Sequence, residues 1–115
     1  GETGLVFLGG TFSHAFRKGP LLALGADPVA GLYAEETISA REPKDEQLAV
    51  AATVLDAARA RTGFTELYAR VDLLSGEDGS PVLLELELCE PSFFLTSSPG
   101  SAARAAEAIA AAVRR

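Results

Sequence analysis

The chain has 115 residues, 48% of them apolar, and a formal net charge of −6. That length and composition suit one folded domain over residues 1–115 and exclude a disordered chain, and the acidity argues against general nucleic-acid affinity because phosphate backbones attract basic surfaces. The apolar runs are too short to cross a membrane, and Cys89, the one cysteine, can make neither an internal disulfide nor a zinc site alone, which fits a reducing, cytoplasmic setting.

In chain order, "GLVFL" (4–8) and "TFSHAFR" (11–17) flank Gly9-Gly10 and predict a β-hairpin, since such turns need positive φ. Residues 18–30 carry the breakers Gly19-Pro20, Gly25 and Asp27-Pro28 and read as loop, and "GLYAEETI" (31–38) reads as a strand. An amphipathic helix is predicted over 44–62. Asp45 and Glu46 lie in its first turn and Arg59 and Arg61 in its last, Gly63 closes it, and Leu48, Ala52, Leu55 and Ala58 are spaced along one face. Two strands, "ELYARVDLL" (66–74) and "PVLLELELC" (81–89), are joined by "SGEDGS"; a loop covers 90–100, and an alanine-rich helix covers 101–114 with Ser98 or Ser101 as cap. This order predicts an α+β fold, an antiparallel sheet with helices packed on one face. The start lacks a basic leader and a cleavage pattern, so no signal peptide is expected. The chain contains no methionine and enters a strand almost at once, so it is expected to be a piece of a longer protein, with loss of the initiator Met alone as the alternative.

The second hairpin sets charges among its leucines. Side chains alternate along a strand, so Arg70 and Asp72 share one face, as do Glu85 and Glu87. A turn that brings Leu73 opposite Leu84 pairs Asp72 with Glu85 and Arg70 with Glu87, and sends the leucines and Val71 to the face under the helices. One arginine then sits among three carboxylates. Like charges opposite one another destabilise a sheet, and a divalent cation would cancel the excess. Mg²⁺ takes a few carboxylate oxygens and shares itself with phosphates, which points to a Mg²⁺-nucleotide site with Arg70 free to meet an oxyanion. Alternation alone leaves a second reading open, a charged face that is merely solvated, and that is the commoner arrangement.

"YARVDLL", a turn, then "LLELELCEP" resembles the C-terminal catalytic lobe of the ATP-grasp superfamily, with its Arg-x-Asp strand, hairpin, Glu-x-Asn strand and trailing proline. Arg70-Val71-Asp72, Glu85-Leu86-Glu87 and Pro91 stand at these positions. The upstream "GETGLVFLGGTFSHAFRKGP" resembles that lobe's preceding hairpin, and "FSHA..K" with "LELELCEPSFFL" is similar to a ligase branch that includes cycloserine-type cyclo-ligases. The resemblance implies an ATP- and Mg²⁺- (or Mn²⁺-) dependent carboxylate–amine ligase acting on a small carboxylate and amine through an acyl-phosphate. Asp72, Glu85 and Glu87 would be its metal ligands, Arg70 and Lys18 its catalytic residues, and Arg70, Lys18 and Glu85 its nucleotide contacts. Glu87 departs from the family's usual asparagine and adds a charge, which keeps a catalytically inactive, ATP-grasp-derived binding module as the alternative. The family's lysine-bearing, glycine-rich lobe is absent, so this portion alone is expected to be inactive, and its uncovered apolar surface could pair with a second copy.

Other residues have simpler readings. His14, the only histidine, is expected to make structural hydrogen bonds; it shares a strand face with Lys18, which points to phosphate or stays a surface lysine. Glu2 is expected to pair with Arg17, Cys89 to be buried, Glu90-Pro91 to end a strand, and Phe93 and Phe94 to anchor their loop. Glu35 and Glu36 are expected in a solvated or substrate-side loop, and Arg114 and Arg115 at a helix end that favours cations.

Overall fold

The protein is described by a computed structural model over residues 1–20 and 37–114. Strands β1 (Glu2–Leu8), β2 (Thr11–Lys18) and β3 (Ile38–Arg41) precede helix α1 (Asp45–Thr62). Strands β4 (Tyr68–Ser75) and β5 (Pro81–Glu87), a 3₁₀ turn at Leu95–Ser97 and helix α2 (Ser101–Val113) follow. The strands form one sheet in the order β3-β2-β1-β4-β5, every neighbouring pair antiparallel. The strand expected over 31–38 falls mostly outside the described residues, as do most of the loop expected over 18–30, Glu35, Glu36 and Arg115.

β1 lies at the centre, and its unbroken apolar run follows from burial on both faces. Leu5 and Phe7 join Ala15, Ala69, Val71 and Leu73 under Ala51 and Leu55 of α1. Val6 and Leu8 join Phe16 on the opposite face, beneath Ala105 of α2 and the ring-bearing loop of Phe93 and Phe94. The antiparallel α+β expectation therefore holds, but the two helices lie on opposite faces rather than one. A helix as short and alanine-rich as α2 covers only part of its face, and the aromatic loop completes it.

The first hairpin turns at Gly9 and Gly10 with φ of 60° and 80°, as two glycines predict. α1 starts where the Gln47 side chain accepts the Lys44 backbone N–H at 2.9 Å and ends at left-handed Gly63, whose N–H donates to the Arg59 carbonyl. Its buried line is Gln47, Ala51 and Leu55; Ala52, expected inside, is exposed because the face is centred one residue earlier. The far end of α1 is clamped to the approach to β4 by Arg59, whose Nη2 and Nε meet the Glu66 carboxylate at 2.6 and 3.1 Å. Neither expected serine caps α2: its N-cap is left-handed Gly100, and the Ser101 hydroxyl donates backwards to the Leu95 carbonyl.

The second hairpin contains a bulge between Asp72 and Leu73 that places Leu73 opposite Leu83, not Leu84. The extra residue is absorbed beyond the charged pairs, so Asp72 still faces Glu85 and Arg70 still faces Glu87. Leu84, expected under the helices, is instead 50% exposed.

Candidate functional site

The site lies on the sheet face opposite α1. Two rows cross the strands there: Phe16, Gly4, Asp72 and Glu85 in one, and His14, Val6, Arg70 and Glu87 in the next. Lys18 and Glu2 pair at the following same-face position. The spacing of two residues along each strand, read from sequence for β4 and β5 alone, thus extends across four strands.

Arg70 is the hub. Its Nε donates to Asp72 Oδ1 at 2.9 Å, and its Nη2 to Asp72 Oδ2 at 2.8 Å and Glu87 Oε1 at 3.0 Å. Its Nη1 donates to the Ser92 carbonyl at 3.0 Å. The guanidinium also lies 5.8 Å from the Phe16 ring centre and 5.7 Å from that of Phe94, within cation–π range of both. Burial works against the arginine's charge, but the hydrogen bonds and charge of Asp72, joined by the charges of Glu87 and Glu85, win and raise its pKa above the ordinary value.

Lys18 is buried beside this hub, with Nζ 2.7 Å from Glu2 Oε1 and 3.8 Å from Asp72 Oδ2. Its burial penalty is outweighed by the Glu2 hydrogen bond and the charge of Asp72, against opposition from Arg70, so its pKa is raised. The expected Glu2–Arg17 pair does not form: Glu2 stands opposite Lys18 in the register, and Arg17, one residue away, points to the other face. Glu85 is exposed, and Glu87 is half-buried with one oxygen on Arg70. The donor chemistry, hard carboxylate oxygens beside open solvent, fits Mg²⁺ at Glu85 and Glu87. Asp72 is buried, and Arg70 holds an oxygen from each side of its carboxylate. Among the described residues no three His, Cys, Asp or Glu side chains converge tightly enough to hold an ion as they stand.

His14 does make structural bonds: Nε2 lies 2.7 Å from the Phe93 carbonyl and Nδ1 2.8 Å from the Ser13 hydroxyl. Phe93 and Phe94 do anchor their loop: Phe93 meets Tyr68 edge-on and Phe94 packs tilted on Phe16, with centroids 5.3 and 4.5 Å apart. Cys89 is exposed instead of buried, because β5 ends at Glu87 on the sheet edge and the chain bends away. Glu90 takes a φ of 55° just before buried Pro91, which makes the turn expected there. Arg114 donates to the Ala110 carbonyl at the end of α2.

Sequence reasoning missed Gly4, Glu2 and the Ser92 carbonyl as parts of this site. The signal for Gly4 was a glycine inside a strand, which often marks a close approach; here the Phe16 ring lies where a Cβ would be. No local signal could have assigned Ser92, whose backbone oxygen reaches Arg70 from 22 residues away.

No family model matches the chain. It is 44% identical over 112 residues to the cycloserine biosynthesis protein DcsG of Streptomyces lavendulae, a match that covers 96% of this chain and 37% of that protein. The crystal structure of D-cycloserine synthetase DcsG matches with a TM-score of 0.82 at 40% identity, over 97% of this chain and 38% of the other. D-alanine–D-alanine ligase from Bacillus anthracis, complexed with ATP, shares the fold with a TM-score of 0.58 at 14% identity, over 98% of this chain and 36% of the other. The chain is a DcsG homologue that shares its fold with D-alanine–D-alanine ligase. It spans well under half the length of the relatives it matches. It carries Arg70, Asp72, Glu85 and Glu87 side by side on one sheet face, in the register their alternation predicts.

Proposed function

We propose that this lobe is the C-terminal portion of an ATP- and Mg²⁺-dependent carboxylate–amine ligase, acting in the cytoplasm through an acyl-phosphate. The observation that carries the reading is Arg70, fixed between Asp72 and Glu87 beside open Glu85, in a homologue of a cycloserine synthetase. The ligase likeness at 14% identity adds only the fold. Glu85 and Glu87, joined by Asp72 once Arg70 gives up one of its oxygens, would hold Mg²⁺ (or Mn²⁺), which would supply charge neutralisation for the ATP phosphates. A substrate carboxylate oxygen attacks the γ-phosphorus and the bond to ADP breaks. The amine nitrogen then attacks the acyl carbon, loses a proton, and phosphate departs. Both steps develop negative charge on oxygen. Arg70, with its charge held firmly on by its neighbours, is suited to stabilise that charge, and Lys18 to meet a phosphate oxygen.

Glu87 at the usual asparagine position favours one other reading, an inactive binding module in which the extra carboxylate serves to hold Arg70. Thermal denaturation of the full-length protein separates the two. Mg²⁺ with ATP should raise the melting temperature of the wild type, because a ligand that binds only the native state stabilises it. Asp72→Asn with Glu85→Gln should remove that increment. An unchanged increment in the double variant would refute the metal assignment. The lobe alone should release no phosphate from ATP, and detectable turnover would show that it needs no second lobe.

A further inference from the structure

The loop after β5 has a feature that the proposed reaction does not use. Four consecutive carbonyls in it, Ser92 to Leu95, each accept a hydrogen bond, and their donors come from different elements. Arg70 of β4 donates to Ser92, His14 of β2 to Phe93, Ser97 to Phe94, and Ser101 of α2 to Leu95. Phe94 holds a φ of 47°, a conformation that costs a residue with a side chain and persists only when its surroundings enforce it. The same Phe94 presents its ring to the Arg70 guanidinium.

A carbonyl can only accept, so His14 Nε2 carries the proton in its bond to Phe93. Nδ1 of the neutral ring then accepts from the Ser13 hydroxyl, and the Ser13 oxygen accepts Nε–H of Arg104 on α2 at 3.0 Å. A relay therefore runs from α2 through β2 to the loop, and the loop holds Arg70 by a carbonyl and a ring.

We infer that His14 is a positioning residue for Arg70: its bond to the Phe93 carbonyl holds the Ser92–Phe94 backbone where it fixes the guanidinium. The use of Arg70 in catalysis rests on the ligase reading; the coupling of His14 to Arg70 does not. Burial, in the first place, and the charge of Arg104 outweigh the Phe93 bond and lower the His14 pKa, which is consistent with a neutral ring in this role.

The test uses the full-length protein and side-chain NMR of arginine Nε–H groups, with Arg70 identified by Arg70→Lys. Arg59, whose Nε–H is bonded to Glu66 and lies away from the loop, serves as the internal control. In His14→Leu the Arg70 Nε–H should exchange with water at least about tenfold faster, while Arg59 stays within about twofold of wild type, because only a local opening is involved. His14→Gln, whose amide N–H can reach the Phe93 carbonyl, should restore wild-type exchange. Should His14→Leu not fold, His14→Asn, too short to reach that carbonyl, makes the same comparison. Unchanged Arg70 exchange, or equal acceleration at Arg59 and Arg70, would overturn the inference. A wild-type melting temperature indifferent to Mg²⁺-ATP would sink the ligase reading instead, and the exchange rates would still decide whether His14 holds Arg70.

Discussion

Arg70 grips Asp72, two residues along the same strand, with two parallel hydrogen bonds of 2.9 and 2.8 Å, and both side chains are almost wholly buried. Neighbours of like parity on a strand point the same way, and this pair turns that proximity into a fork that closes on both carboxylate oxygens. The arginine keeps one edge for Glu87 and one nitrogen for the Ser92 carbonyl.

Removing one member of such a pair strands the other. Asp72→Asn should cost about 3 kcal/mol of unfolding free energy, since buried Arg70 loses its two-pronged counter-charge and keeps only the half-buried Glu87. Urea denaturation of the full-length protein measures this. A loss well under about 1 kcal/mol would mean that the pair is far wetter than its burial suggests.

Gly4 lies beneath the Phe16 ring, where any Cβ would collide with ring carbons. Gly4→Ala should therefore destabilise by about 2 kcal/mol through overpacking. It should also disturb Arg70, because Phe16 is one of the two rings beside the guanidinium. The check is denaturation alongside the Arg70 Nε–H resonance, whose position should move.

Arg59 and Glu66 tie the end of α1 to the approach to β4, with Glu66 the more buried partner. Arg59→Ala leaves that carboxylate without its donor and should cost about 2 kcal/mol. Burial tends to raise the Glu66 pKa, but the Arg59 hydrogen bonds and charge overcome it and lower the pKa below the ordinary 4.5. A carboxyl with a depressed folded pKa stabilises fully above its unfolded value and loses that contribution as pH falls through the folded one. Stability measured downward from pH 4.5 should therefore fall less steeply in Glu66→Gln than in the wild type.

His14 gives a second, milder pH response. Its pKa is lowered from 6.5, first by burial and then by Arg104, against the Phe93 hydrogen bond. Arg41 and Glu42 line the same hollow. Below 6.5 the unfolded chain takes up a proton that the folded ring resists, so stability is complete above that pH and declines as pH falls toward the lowered folded value. His14→Gln should flatten this part of the profile, and a slope identical to that of the wild type would exclude His14 as its source.

The charged constellation was legible because strand alternation is a backbone property: once β4 and β5 were paired, Arg70, Asp72, Glu85 and Glu87 had to share a face. The bulge could not be read from the leucines, because Leu83 and Leu84 are chemically alike and either can stand opposite Leu73. The placement of the helices was likewise hidden: β1 is apolar on both sides, and that pattern asks for two covers without saying which helix supplies which.

The amino-acid sequence by itself determined β1, β2, β4 and β5, the long helix and the charge pattern of the site, because these follow from side-chain periodicity and turn residues over short distances, whereas β3 (Ile38–Arg41) was not read. Only the tertiary structure decided that α2 and the aromatic loop pack on the face that carries Arg70, that Glu2 belongs to Lys18, and that a histidine near one end of the chain secures a loop near the other. Those contacts join residues far apart in sequence. Their register depends on how whole elements pack, and no local spacing encodes it.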